Sequence, residues 1–307
     1  MVTPADKSQR PSLLQRLQQG ELLISDGGTG TFLQQHGLEP GGCPEEFNAS
    51  QPDTVKGMAR AYFDAGSDMV LTNSFGGNKF MLAKYGHGHR VEELNKLAAQ
   101  HARSQTPLGK FVIGSVGPTG EFLEPLGNVS ETEMLEAFIA QVVALEQGGA
   151  DAIVIETMTS IEECSLAIKA ARDYTSLTIM ATMVFDLGPR GFFTMMGDTP
   201  EKAVEFTQTF EPRLAAIGAN CGAGPAMLID TVARLCKSAD DQDIIIAKGN
   251  CGIPQMSDGE IVYSGTNEVM AEYARLARDC GAKIIGGCCG TTPDHILAMR
   301  SALLPSR

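Results

Sequence analysis

Three segments of this chain share one signature: an amphipathic run stops at glycine, a polar residue follows within two positions, and an apolar β-type run begins. They are Ala65-Gly66-Ser67-Asp68, Gly148-Gly149-Ala150-Asp151 and Cys280-Gly281-Ala282-Lys283. Glycine supplies the left-handed cap that ends a helix, because it has no Cβ to clash at positive φ. Around these stops one unit recurs eight times: a short apolar run, a Gly/Asn/Thr-rich loop and an amphipathic helix. The predicted strands are Leu22–Asp26, Met69–Asn73, Phe111–Ser115, Ala152–Glu156, Thr178–Met183, Ala215–Ala219, Ile244–Lys248 and Lys283–Gly286. The predicted helices are Pro52–Ala65, Val91–Ser104, Glu131–Gln147, Ile161–Asp173, Pro200–Phe210, Pro225–Ser238, Asn267–Cys280 and Pro293–Leu304. The strand runs are mostly continuous in hydrophobicity, as parallel strands covered on both faces require. Eight such units in 307 residues fit a single-domain α/β fold, the (β/α)8 TIM barrel, better than an open doubly wound sheet. No Pro- or Ser-rich linker interrupts the chain. Residues 19–307 therefore read as one barrel, and 1–18 as a disordered or loosely attached lead-in.

In a barrel the loops after the strands gather at one face, where active sites are built. The longest of these loops follow strands 1, 5 and 7. Strand 8 ends in Gly286-Gly287-Cys288-Cys289-Gly290, and strand 6 in Ile217-Gly218-Ala219-Asn220-Cys221-Gly222. Adjacent cysteines rarely bridge each other, since the small ring strains the peptide. Cys288, Cys289 and Cys221, placed at nearby strand ends, instead suit one soft metal, with Zn²⁺ the default. Three protein ligands leave a fourth position open, as in catalytic zinc sites. The alternative is a trio of inert buried thiols. Cys251 also falls at a strand end and reads as a neighbour rather than a ligand; Cys43 reads as a loop thiol, and Cys164, Cys236 and Cys280 as helix packing. The five histidines (36, 87, 89, 101 and 295) read as solvated or packing residues.

A zinc held by three thiolates carries net negative charge. It is a poor Lewis acid for hydrolysis and a good host for a substrate thiol, whose pKa it lowers. The chemistry this suggests is alkyl transfer to a thiol by in-line displacement. Strand 1 ends in Asp26 before Gly27-Gly28-Thr29-Gly30, and strand 4 in Glu156-Thr157. The two carboxylates could hold an ammonium and the glycine-loop N–H groups a carboxylate. Equally, Asp26 could cap its own loop and Glu156 pair with a cation at the mouth.

The totals limit the partners. A net charge of −13 disfavours nucleic acid, and no run of 18 apolar residues offers a membrane span. Met1–Arg10 is polar, without the apolar core of a signal peptide, so eight free thiols in a reducing cytoplasm are expected. Homo-oligomerisation is left open.

Asp26-Gly27-Gly28-Thr29-Gly30-Thr31, Gly114-Ser115-Val116-Gly117-Pro118-Thr119-Gly120, Ile155-Glu156-Thr157, Gly218-Ala219-Asn220-Cys221 and Gly286 to Thr292 resemble the motifs of the homocysteine S-methyltransferase family, over about residues 20–304. The resemblance implies a zinc barrel that methylates L-homocysteine to methionine. It implies Cys221, Cys288 and Cys289 as zinc ligands and catalytic residues, with Asp26, Gly27, Gly28, Glu156 and Asn220 at the substrate. Leu71 to Gly77, Lys248 to Pro254 and Tyr263 to Thr266 look most like bacterial betaine–homocysteine methyltransferases, which points to betaine as donor. The alternatives are S-methylmethionine or S-adenosylmethionine, a corrinoid partner bearing methylcobalamin, and a non-enzymatic zinc-storage or redox-sensing barrel. One departure bears on the donor. The animal betaine enzymes hold it with a tryptophan and a tyrosine; this chain has no Trp, and Gly76 stands at the tyrosine position. An aromatic cage would have to draw on Phe75, Phe80, Tyr85, Phe185, Phe192, Phe193 and Tyr263.

Overall fold

The computed structural model describes residues 11–257 and 260–304. Eight parallel strands line up as predicted: β1 (Leu23–Ile24), β2 (Met69–Leu71), β3 (Phe111–Val116), β4 (Ala152–Met158), β5 (Thr178–Met183), β6 (Ala216–Cys221), β7 (Ile245–Gly249) and β8 (Ile284–Gly287). Their hydrogen-bonded order is β1-β8-β7-β6-β5-β4-β3-β2. Pro52–Asp64, Val91–Ser104, Glu131–Gly148, Ile161–Tyr174, Pro200–Gln208, Pro225–Ser238, Asn267–Cys280 and Pro293–Leu303 form the helices α1 to α8 that follow these strands. Gly149 and Gly281 take left-handed caps at φ 100° and 116°, as their stop signals require. The fold is a nearly closed TIM barrel.

Strand pairing leaves one seam, between β1 and β2. There carboxylate acceptors stand in for most of the ladder. The Asp68 carboxylate accepts from Ile24 N–H at 2.9 Å, and its own N–H donates to Ile24 carbonyl at 2.7 Å. Higher up, the Asp26 carboxylate accepts from Leu71 N–H at 2.6 Å. This explains why β1 is shorter than the predicted Leu22–Asp26. Ser25 still donates to Ile285 on the β8 side, but the other side is held by carboxylates.

Side-chain alternation sorts each strand into two faces. Leu23, Met69, Ile113, Val154, Met180, Ile246 and Ile284 fill the barrel interior. Ile24, Val70, Val112, Ile153, Ile245 and Ile285 pack outward against the helices. The interior is plugged from below by a helix, Leu13–Gln18, whose Leu13 and Leu17 are buried in that inner cluster. This part of the expected lead-in is therefore attached to the barrel, because its two leucines cover the open bottom layer; residues 1–10 lie outside the described residues. Two hairpins that the strand reading did not anticipate, Asp186–Gly188 with Gly191–Phe193 and Pro254–Ser257 with Glu260–Tyr263, rise from the loops after β5 and β7. Among the described residues no helix is long and apolar enough to cross a membrane.

Candidate functional site

The inward parity that buries Ile113, Val154, Ala216 and Ile246 also carries Ser115, Glu156 and Lys248 two residues further along their strands, and Asn220 four further along its own. They form a polar layer beneath the mouth. Lys248 is only 4 % exposed, Asp26 1 % and Glu156 6 %. Lys248 Nζ lies 3.1 Å from Asp26 Oδ1. Ser115 Oγ donates to Glu156 Oε1 at 2.5 Å. Burial alone would pull the Lys248 pKa down, but Asp26 first, then Glu156, outweigh it and raise it. Burial pushes Glu156 up to about 7, with Lys248 opposing. The folded state thus holds this proton more tightly than an ordinary carboxyl at 4.5. Its stabilising contribution is full below that value and is lost as pH rises through about 7. A Glu156→Gln variant, which cannot ionise, is expected to gain on the wild type from pH 5 to pH 8, by up to about 3 kcal/mol. Urea melts at four pH values read this out, and a difference that does not vary with pH would refute it.

Above this layer sit the thiols. Sγ of Cys288 and Cys221 are 3.5 Å apart, those of Cys221 and Cys289 3.8 Å, and all three sulfurs lie within 4.8 Å of one another. Tetrahedral zinc with bonds of about 2.3 Å would space its sulfurs at roughly 3.8 Å. The trio therefore fits zinc with little movement. Cys221 reaches it because its backbone turns to φ 63°, a left-handed conformation uncommon for a side-chain-bearing residue. Asn250 ties the two thiol loops together: its Nδ2 donates to Gly222 carbonyl at 2.7 Å and its Oδ1 accepts from Cys289 N–H at 3.1 Å. Hydrogen bonds from Cys221, then Cys288, hold the Cys289 thiol well below the usual range, and the Tyr263 hydroxyl adds to this. Cys221, hydrogen-bonded to both partners, is driven up.

The thiols form one wall of a cavity of about 350 Å³, within the usual range for small-molecule sites. Gly27, Gly28, Glu45, Phe75, Ser115, Glu156 and Lys248 line the rest, with others. Gly27 and Gly28 do so under constraint. A Cβ on Gly28 would fall 2.8 Å from Cys288 carbonyl, and one on Gly27 2.5 Å from that of Thr291. The glycines let the first loop press against the Cys288–Thr291 turn, and Gly28 N–H is already given to Thr291 carbonyl at 2.9 Å.

Two expected substrate contacts are placed differently. Asp26 lies behind Lys248 and spends its oxygens on Leu71 N–H and on that lysine. Asn220 points into the barrel. Its Oδ1 accepts from Thr157 N–H (3.0 Å) and Thr182 Oγ1 (2.7 Å), while its Nδ2 donates to Thr157 Oγ1 (2.7 Å) and faces Cys288 Sγ at 3.7 Å. It holds Thr157 at φ 60° and steadies a sulfur, so in this structure both residues support the cavity wall. Lys248 and Glu45, not singled out before, do line the cavity. The signal for Lys248 was a lone charge at the end of an apolar strand run; Glu45 had none. Cys251 stands aside, its Sγ 3.4 Å from His295 Nε2, and Cys164 is fully buried in α4.

The homocysteine S-methyltransferase family model matches residues 23–303. The chain belongs to the homocysteine S-methyltransferase family. Methionine synthases from Mycobacterium leprae and Mycobacterium tuberculosis are 30 % and 29 % identical to it over 98 % of its length, and the chain spans about a quarter of theirs (26 %). The metallated form of the Escherichia coli homocysteine methyltransferase MmuM superposes with a TM-score of 0.76 at 21 % identity, covering 93 % of this chain and 97 % of that one. That likeness supports the barrel fold.

Proposed function

We propose that this family member transfers a methyl group from an onium donor, betaine in the first instance, to the sulfur of L-homocysteine, giving L-methionine in the cytoplasm. The observation that carries the reading is the trio of sulfurs at zinc spacing, opening into a cavity that also holds buried acid and base groups. Cys221, Cys288 and Cys289 would hold zinc, which when bound lowers the pKa of a thiol placed at its open position. Glu156 would meet the homocysteine ammonium, with Asp26 acting through Lys248, and the loop around Gly27 and Gly28 would face the carboxylate. The thiolate sulfur attacks the donor methyl carbon in line; the S–C bond forms as the C–N bond breaks, and the electron pair leaves with a neutral amine. The protein's part is to orient the two molecules and keep water from the nucleophile.

Of the rings available to a donor, Phe75 lines the cavity and Tyr263 hydrogen-bonds to Cys289, while Phe185 and Phe192 are buried elsewhere. A second reading has its own support. Two of its relatives are methionine synthases, and the loops after β3, β5 and β7 expose Phe122, Leu126, Met195, Met196 and Ile253, a surface on which a methylcobalamin-bearing protein could dock. A donor panel decides between them. Zinc-loaded protein with homocysteine is expected to form methionine from betaine alone. Turnover only with methylcobalamin would overturn the onium reading in favour of the second.

A further inference from the structure

The cavity gathers more carboxyl groups than basic side chains, and one of its carboxyls has no cation. Asp26 has Lys248, and Glu156 shares that lysine's field and, on the proposed function, receives the homocysteine ammonium. Glu45 is 4 % exposed and lines the same cavity. Its Oε1 accepts from Gly76 N–H at 2.6 Å, and the Cys43 thiol faces its Oε2 at 3.6 Å. Both neighbours are neutral, and among the described residues no basic side chain forms an ion pair with it. An unpaired buried carboxylate is costly to keep. The residue preceding Gly76 is Phe75, which lines the cavity, is 39 % exposed and packs over Gly117, where an added Cβ would meet its ring at 2.6 Å. The Glu45–Gly76 bond thus fixes a carboxylate and an aromatic ring as neighbours on one wall.

We infer that Glu45 reads the charge of the methyl donor, its carboxylate and the Phe75 ring together holding the positively charged onium head. This rests on the onium reading above. A quaternary ammonium donates no hydrogen bond, so charge and a ring face are what can recognise it. The donor loses its positive charge on transfer. Because the head still carries much of its positive charge at the transition state, Glu45 holds the bound donor and the transition state about equally, releases the neutral amine, and acts on KM rather than on kcat.

The test compares charged donors with uncharged carbon isosteres: betaine against 3,3-dimethylbutanoate for a quaternary ammonium, and S-methylmethionine against homoleucine for a sulfonium. In the zinc-loaded wild type, the isostere of the donor used is expected to inhibit with a Ki about tenfold or more above that donor's KM. Glu45→Gln keeps an acceptor for Gly76 N–H and removes the charge. It should raise the donor KM about tenfold, leave kcat and the homocysteine KM within about twofold, and leave the isostere Ki unchanged. An unchanged donor KM in Glu45→Gln overturns the assignment. So does a wild type that binds donor and isostere equally, a result independent of whether the variant folds. A wild type that uses neither onium compound removes the functional reading, and this inference with it.

Discussion

Replacing Cys289 with serine is expected to leave a folded barrel that no longer retains zinc and has lost methyl transfer by roughly 10³-fold or more. The fold should survive because Cys289 is held by its backbone: Cys289 N–H reaches Asn250 Oδ1, and its carbonyl accepts from Cys251 N–H at 2.9 Å. The metal should not survive, because a serine hydroxyl stays protonated at neutral pH and two sulfurs, at Cys221 and Cys288, make a poor zinc site. Metal analysis after gel filtration and an initial-rate assay measure the two effects, and circular dichroism confirms the fold. Activity retained at more than a tenth of wild type would refute zinc at this trio.

The second large effect is one of stability. Lys248→Met should lower it by about 3–5 kcal/mol, since two buried carboxylates then face each other with no cation between them. For a domain of this size that is a melting-point drop on the order of 5–8 °C. The variant should also bind homocysteine poorly. Without Lys248, which holds the Glu156 pKa down, Glu156 stays protonated to higher pH and offers no charge to an ammonium. The deficit is expected to shrink as pH falls from 8 towards 5, because protonation removes the uncompensated charge. A methionine fills much of the lysine stem's space, so packing loss is a minor part. A melting point within about 2 °C of wild type at pH 8 would show that the triad carries no such weight.

The architecture was legible because its signals are repeated. Glycine stops, continuous β-branched runs and paired cysteines each recur or reinforce one another, and all eight predicted strands stand in the barrel. The thiol trio was legible for the same reason, since its members sit at equivalent positions of two units. What was harder to see depends on closure. Asp26 reads as a mouth residue from its strand position, yet it turns to the β1–β2 seam, because that seam lacks a full ladder and Leu71 N–H needs an acceptor. Asn220 follows the inward parity of its strand and so lies under the site. Glu45 depends on a loop whose path is set by Gly76 and Cys43, contacts that no periodicity announces.

The seam has a mechanical consequence. A ladder bond between strands is indifferent to what the mouth contains, but the bond at Leu71 hangs on a carboxylate that also answers to Lys248. Whatever draws on that lysine redistributes charge at Asp26 and so alters the grip of β1 on β2. The barrel is thus laced shut at its binding end by a knot that its own cargo can tighten or slacken. The Leu71 amide, among all those in the wall, is the one whose exchange with solvent should register that the cavity has been filled.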